Sequence, residues 1–238
     1  MKSKIKIYKI TAILTGKGGS RLKDKNILKI KGKPLLYYPC IAAKKVKIIN
    51  NFFVSSENKK ILNVANKYGY QKILRPASLS RKNSQHKDVL IHAVKYLKIK
   101  KIFPEILVIL LANSATIKTS WIKKAINLLI SDKNASACVP VLENNDHHPF
   151  RAKKNNNNYL KSFFKFKKNI SSNRQDLIKN YFLCHNFWVI KTDAILKNTG
   201  EPPWNFLGKK VLPLIVSDSV DIHHKKDLEL TIDWLKNN

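Results

Sequence analysis

The sequence predicts an α/β domain: a mostly parallel β-sheet with helices on both faces. Three observations lead there. Short apolar runs alternate with stretches of helical period. One run, Ile106 to Leu111, is apolar at every position, as a central parallel strand buried on both faces requires. A glycine-rich turn directly follows the first apolar run, at the carboxyl end of a strand, where open α/β sheets take up ligands.

Taken in order, Ile5 to Thr15 reads as the first strand, ended by the stretch from Gly16 to Ser20. Phe52 to Ser55 is a second strand. From Glu57 to Tyr68, the residues Ile61, Leu62, Ala65 and Tyr68 share one helical face. His86 to Leu97 repeats the theme with Val89, Leu90, Ala93, Val94 and Leu97. After the central strand, Thr119 starts a helix that turns Trp121, Ile122, Ala125, Ile126 and Leu129 inward. Ala135 to Leu142 is the next strand. The pattern then breaks from Glu143 to about Arg174, a polar stretch with four consecutive asparagines, Asn155 to Asn158, and a basic, Phe-containing run from Phe163 to Lys168. Such a segment inside a compact domain is uncommon unless it serves interaction or function. Residues 143–180 are therefore read as a dimerisation or interaction insertion within a single domain, 1–238. Tyr181 to Ile190 resumes the β pattern, a strand is expected near Val220, and a helix from about Lys225 to Leu235 ends the chain. The alternation implies a sheet covered on both faces, and there is no internal repeat.

Composition narrows the function classes. The 238 residues are 44% hydrophobic, enough for a sizeable core and too much for a disordered chain. No stretch approaches the roughly 20 apolar residues of a membrane span. The N-terminus is basic, but Lys9 interrupts the apolar segment and no small-residue cleavage site follows, so no signal peptide is expected. Cys40, Cys138 and Cys184 are far apart and odd in number, which suits a reducing compartment and offers no zinc spacing; a soluble cytoplasmic protein is expected. The formal charge of +31 comes from 46 Lys and Arg against 15 acids. Only Arg21, Arg75, Arg81, Arg151 and Arg174 are arginines, whereas nucleic-acid readers favour Arg. Lys, Asn and Ile, all with A/T-rich codons, are abundant throughout. No nucleic-acid-binding motif accompanies the charge, so the field is assigned to an anionic substrate.

The first candidate for chemistry runs from Leu14 to Asn26. It carries Gly16, Gly18 and Gly19, with Lys17, Arg21, Lys23 and Lys25 alongside. Glycines let backbone N–H groups approach phosphate oxygens, and Lys or Arg neutralise a polyphosphate. No Gly-Lys-Ser/Thr closes a P-loop, and Arg21 stands where a dinucleotide fingerprint needs glycine. The alternative is a basic surface turn.

This segment resembles the opening motif of the acylneuraminate cytidylyltransferases, which activate sialic-acid-type sugars. Their strand, Ala/Gly-Arg-Gly-Gly-Ser-Lys, Lys-Asn and Gly-Lys-Pro-Leu are met here by Gly16-Lys17-Gly18-Gly19-Ser20-Arg21, Lys25-Asn26 and Gly32-Lys33-Pro34-Leu35. Val54-Ser55-Ser56-Glu57 is similar to the family's Val-Ser-Thr-Asp, and Arg75-Pro76-Ala77-Ser78-Leu79 to its Arg-Pro-Ala-x-Leu, with Asp88-Val89 at the expected distance. Asn173-Arg174-Gln175-Asp176-Leu177 with Tyr181 resembles Arg-Gln-Asp-Leu-Pro…Tyr, and Asp221-Ile222-His223 with Asp227-Leu228 resembles Asp-Ile-Asp…Asp-Leu. The matches are in register over nearly the whole chain. The resemblance implies a three-layer, Rossmann-like nucleotide-diphospho-sugar transferase fold, a homodimer, and a nucleotide-binding role for Arg75.

Departures accompany the matches. Lys17 replaces the family's Arg and Arg21 its Lys, and the spacer before Lys25 is one residue shorter. Leu111-Ala112-Asn113-Ser114-Ala115-Thr116 stands for Leu-Gln-Pro-Thr-Ser-Pro, which places the sugar-contacting glutamine at Ala112. Cys184-His185 stands where the family has Asn-Gly, and His223 where it has a second Asp.

Nucleotidyl transfer needs a cation on the phosphates, normally Mg²⁺ held by one or two carboxylates. Asp221, at the end of the strand expected near Val220, is the candidate ligand, and the i, i+2 spacing puts His223 on the same face. Histidine suits softer metals better; His223 alternatively orients a metal-bound water or caps the final helix. Adjacent histidines point apart, so His147-His148 and His223-His224 read as solvated pairs rather than a zinc site. Asp88 complements a helix dipole or joins the site. Cys184 and His185, on opposite sides of a strand, read as packing rather than a thiol nucleophile.

The expected activity is transfer of a cytidylyl group from CTP to a 2-keto sugar acid of sialic, legionaminic or pseudaminic type, releasing pyrophosphate. Lys17, Arg21, Lys25, Asn26 and the backbone of Gly16, Gly18, Gly19 and Ser20 hold the triphosphate. Asp221 binds Mg²⁺, and Arg174, Gln175 and Tyr181 face the sugar acid, Arg174 suiting a carboxylate. The alternatives are a related enzyme for another nucleotide or acid, such as 3-deoxy-octulosonate, and a non-catalytic polyanion binder on the same fold.

Overall fold

A computed structural model describes residues 7–19 and 22–238. In chain order the elements are β1 (Ile10–Thr15), β2 (Lys29–Ile30), β3 (Lys33–Pro34), α1 (Tyr37–Lys44), β4 (Asn51–Ser56), α2 (Lys59–Asn66), β5 (Gln71–Leu74), α3 (His86–Ile99), β6 (Ile106–Leu111), α4 (Thr119–Ser131), β7 (Ala137–Glu143), β8 (Lys153–Asn156), β9 (Tyr159–Ser162), β10 (Tyr181–Leu183), β11 (Phe187–Lys191), α5 (Thr192–Lys197), β12 (Val211–Ile215) and α6 (Lys225–Asn237).

The main sheet runs β5-β4-β1-β6-β11-β7, with β10 and β12 also paired to β7. Strands β5, β4, β1 and β6 are parallel, and β12 is parallel to β7. The exceptions are β11, antiparallel to both β6 and β7, and β10, antiparallel to β7. Alternation sorts the side chains into two cores. Ile10, Ala12 and Leu14 of β1 pack with α1, α2 and α4. Ile13, with Leu107 and Ile109 of β6, packs with α3 and α5 on the other face. That is the three-layer arrangement the sequence predicts. From Leu107 to Leu110, β6 is wholly buried, and each such side chain contributes about 1.5–3 kcal/mol relative to exposure. A third cluster docks α6, through Leu228, Ile232 and Leu235, onto Ile30, Leu35, Ala115 and Ile222.

Several expectations are corrected. The first strand begins at Ile10; Ile7 to Lys9 are outside any strand, and Ile5 and Lys6 lie outside the described residues. Tyr181 to Ile190 is two strands, because Cys184–Asn186 leaves the ladder. There the Asn186 side chain caps backbone instead, donating to Thr116 O (3.0 Å) and accepting from Phe187 N (2.8 Å). No strand forms at Val220: its N–H donates to Thr116 Oγ1 (2.8 Å), its carbonyl accepts from Ser114 Oγ (2.8 Å), and Ile222 N donates to Asn113 O (3.1 Å). Side chains and one carbonyl of the β6–α4 loop thus take the place of a partner strand. The last strand is β12, earlier in the chain. In the 143–180 segment, Asn157 and Asn158 have φ of 51° and 67°, and they close the β8–β9 hairpin between the paired Asn156 and Tyr159. Asn tolerates the left-handed region that such a two-residue turn demands, so the asparagine run encodes a hairpin.

Candidate active site

The start of the glycine loop is tied to fixed partners. Gly16 N–H donates to Ser55 O (3.3 Å) and its carbonyl accepts from Arg75 Nη2 (2.9 Å). The Lys17 carbonyl accepts from Asn26 Nδ2 (2.9 Å), and Gly18 N–H donates to Glu57 Oε1 (2.7 Å). A Cβ at Gly18 would lie 2.7 Å from Asn58 Nδ2, and Asn58 is committed as the cap of α2, accepting from Lys60 N (2.8 Å). Close approach is therefore what the glycine provides. Loop and carboxyl edge wall a cleft of about 830 Å³, to which Lys17, Lys25, Asn26, Arg75, Asn113 and His223 contribute.

Two ionisable groups face each other below the loop. Lys25 is buried and donates its Nζ to the Ile222 carbonyl. Burial lowers its pKa, against the nearby charges of Asp221 and Asp227. Asp221 accepts from Asn113 Nδ2 on one oxygen and meets His223 Nε2 at 2.9 Å on the other. Burial pushes this carboxyl above its ordinary range, opposed by His223, Lys25 and His185. The cap of α6 is His224: its side chain accepts from the Asp227 N–H, while Asp227 Oδ2 accepts from the His224 N–H at 2.7 Å. The His223 ring is left on Asp221.

His86 also lines the cleft, and no sequence motif marks it. Thr15 Oγ1 donates to Leu110 O (3.3 Å), so His86 Nε2, 3.2 Å from that hydroxyl, supplies the proton between them. Burial, with Arg75 and His185 nearby, holds His86 down to about 4, hence neutral at pH 7. Its ring lies against Trp188 (5.3 Å) and Phe206 (6.1 Å), and His185 lies against Trp188 (5.7 Å) and Trp204 (6.0 Å).

Of the residues singled out in the sequence, Gly16, Lys17, Gly19, Lys25, Asn26, Arg75 and His223 come together on the cleft. Gly18 lies in the loop but turns its N–H to Glu57. Asp221 sits behind Asn113 and His223. Ser20 and Arg21 lie outside the described residues. Arg174, Gln175 and Tyr181 do not line this cleft: Arg174 pairs with Asp146 (2.7 Å), Gln175 is exposed in the same turn, and Tyr181 is opposite Glu143 on β10. Ala112 is buried and its N–H donates to Thr15 O (3.0 Å). Burial of Cys184 pushes its thiol up to about 11, the wrong direction for a nucleophile. His148 is buried and accepts from Phe150 N (3.1 Å), so it is not the solvated residue expected.

Among the described residues no group of three His, Cys, Asp or Glu is placed to hold an ion. Asp221 nonetheless fits Mg²⁺. Each of its oxygens keeps a lone pair beyond the bond it already accepts, and Mg²⁺ is commonly held by one or two carboxylates, substrate phosphates and water.

A glycine loop and a cationic cleft at the carboxyl edge of a doubly covered sheet define an α/β protein of the class that binds phosphorylated ligands there. Residues 13–145, more than half the chain, match the family model described as cytidylyltransferase, and the chain belongs to that family. A curated relative from Helicobacter pylori, "Pseudaminic acid cytidylyltransferase and UDP-2,4-diacetamido-2,4,6-trideoxy-beta-L-altropyranose hydrolase", is 25% identical over 213 residues. That match covers 88% of this chain, which spans only 40% of the relative's length. Among solved structures, CMP:2-keto-3-deoxy-manno-octonic acid synthetase complexed with CTP superposes with a TM-score of 0.71 at 14% identity, covering 96% of this chain and 99% of that one. The 4-diphosphocytidyl-2C-methyl-D-erythritol synthase of Anaerococcus prevotii gives 0.62 at 13% identity, covering 97% and 100%. These two likenesses establish the fold alone.

Proposed function

We propose that the protein transfers CMP from CTP to a 2-keto sugar acid of sialic, legionaminic or pseudaminic type, releasing pyrophosphate. The observation that carries this is the convergence of Lys17, Lys25 and the glycine loop on one cleft, with Asp221 held just behind its wall by Asn113 and His223. Family membership and the H. pylori relative support CTP and a sugar acid as the substrates. The 2-hydroxyl of the sugar attacks the α-phosphorus in line as the bond to pyrophosphate breaks, so catalysis is mostly positioning and charge neutralisation. Lys17, Arg21 and Lys25 hold the triphosphate together with the remaining backbone N–H groups of the loop, those of Gly16 and Gly18 being committed to Ser55 and Glu57. Asn26 and Arg75 keep the loop in place around it. Asp221 is the protein ligand for Mg²⁺, which supplies neutralisation of phosphate charge when bound, and Asn113 and His223 orient that carboxylate.

Arg174, Gln175 and Tyr181 are proposed as sugar-acid contacts completed by a homodimer. The same 143–183 region exposes Tyr159 (74%), Leu160 (77%) and Ile178 (74%), an apolar surface suited to a second copy. Sedimentation equilibrium tests this: a dimer that Leu160→Glu makes monomeric is expected, and a monomeric wild type overturns it.

Pyrophosphate release, measured across nucleotides and sugar acids with Mg²⁺ present, tests the activity. Release with CTP and a nine-carbon acid is expected. Release only with 3-deoxy-octulosonate moves the substrate to the shorter acid. No release in any pairing, with salt-dependent retention of DNA, replaces catalysis by polyanion binding.

A further inference from the structure

Glu57 ends the Val54-Ser55-Ser56-Glu57 motif, and its carboxylate lies where three loops at the carboxyl edge meet. Oε1 accepts from Gly18 N (2.7 Å) on the loop after β1. Oε2 accepts from Arg75 Nη2 (3.0 Å), just past β5, and from Ser80 Oγ (2.5 Å) in the turn before α3. The same Arg75 nitrogen donates to Gly16 O (2.9 Å), while Arg75 Nε donates to Ser80 Oγ (2.9 Å). A closed circuit results, from Gly16 through Arg75 and Glu57 back to Gly18, spanning the glycine loop.

We infer that Glu57 is a positioning residue: its carboxylate holds the Gly18 peptide before any nucleotide arrives, and so sets the loop geometry on which affinity for CTP depends. The inference rests on the cleft being the CTP site proposed above. A carboxylate beside a triphosphate site would ordinarily repel it. Here the charge is matched by Arg75, so the field at the cleft stays that of its other cations, Lys17, Lys25, Arg81 and Lys82. Nor is Glu57 a placeholder that phosphate displaces. The Arg75 side chain is only 4% exposed and Glu57 20%, and withdrawing the carboxylate would strand a buried cation without a partner. Burial alone would raise the Glu57 carboxyl, but bonds from Ser80 and Gly18 and the charge of Arg75 together hold it below its ordinary range. Since the Gly18 N–H is already used, phosphate is left to the lysines and the other donors of the loop.

The test compares wild type with Glu57→Gln and Glu57→Asp by calorimetric titration with CTP and Mg²⁺, and by steady-state kinetics. For Glu57→Gln the expected result is a CTP Kd at least tenfold weaker, with KM for the sugar acid within twofold. Glu57→Asp, which keeps a charge on Arg75, should recover part of the affinity. A folded Glu57→Gln protein with a lower melting temperature but a CTP Kd within twofold of wild type overturns the inference and leaves Glu57 a structural residue. A wild type that does not bind CTP overturns the reading of the cleft itself, and with it the ligand named here. Amide hydrogen exchange on the wild type decides the matter even if Glu57→Gln fails to fold. The Gly18 amide should be protected in the free protein and equally so with CTP; exchange at an open-loop rate until CTP is added would overturn the inference.

Discussion

Replacing Arg75 by Met keeps the aliphatic stem and removes the guanidinium, which donates to Ser80, to the Gly16 carbonyl and to Glu57. The wall of the cleft then holds a carboxylate that keeps the Gly18 N–H and the Ser80 hydroxyl but has lost the positive charge that balanced it. Breaking a buried pair by deleting one member costs about 3–5 kcal/mol. Glu57 keeps 20% of its side chain exposed, so some hydration returns, and the lower end, about 3 kcal/mol, is expected. That is a large share of the roughly 5–15 kcal/mol by which domains are stable. Lys at this position retains a charge but not the fork that serves three acceptors, and should lose about half as much. The assay is equilibrium urea unfolding at pH 7, followed by tryptophan fluorescence, with the slope expected to be unchanged. In the double variant with Glu57→Gln no unpaired charge remains, so the combined loss should be smaller than the two single losses added together, by about 1–3 kcal/mol. An Arg75→Met protein within about 1 kcal/mol of wild type, at equal slope, would refute the reasoning, since the circuit around Glu57 would then contribute nothing measurable.

Three further outcomes follow from the same geometry. Lys17→Ala should lower kcat/KM for CTP by at least an order of magnitude with circular dichroism unchanged, as a charge-assisted contact is worth about 1.5–3 kcal/mol; near-wild-type kinetics removes Lys17 from the site. Asp221→Asn should move the Mg²⁺ titration of pyrophosphate release to higher concentration, with partial rescue by excess metal, while His223→Asp should keep or improve Mg²⁺-supported activity; an unchanged titration in Asp221→Asn rejects the assignment. Folded His86 stays neutral down to about 4, whereas the unfolded imidazole takes a proton near 6.5. The unfolded state therefore binds more protons in that window, and stability falls as pH drops through it, by at most about 3 kcal/mol. His86→Gln should flatten this part of the urea midpoint between pH 7 and 4.5, and an equal pH dependence in the two proteins counts against the burial of His86.

What the sequence determined was local. The buried run of β6 and the apolar faces of α2, α3 and α4 lie in continuous windows, and residues 106–111 and the start of α4 at Thr119 coincide with the expectation. The glycine loop was legible because Gly16 and Gly18 mark close backbone approach, and Lys17, Lys25, Asn26 and Arg75 because they fall in family order. Short or weakly patterned elements escaped: α1 has eight residues, β12 five, and the hairpin turn at Asn157 and Asn158 carries no hydrophobic period. Tertiary structure alone decided the partners. Glu57 meets Gly18 across 39 residues of sequence, and Asn113 meets Asp221 across 108. The direction of β11, the placing of Asp221 against a loop rather than at the end of a strand, and the seating of His86 among aromatic rings belong to the same class. Periodicity reports which face of an element is buried, because that depends on residues a few positions apart. Which donor finds which acceptor depends on the spatial order of the strands in the sheet, which brings distant segments to one edge.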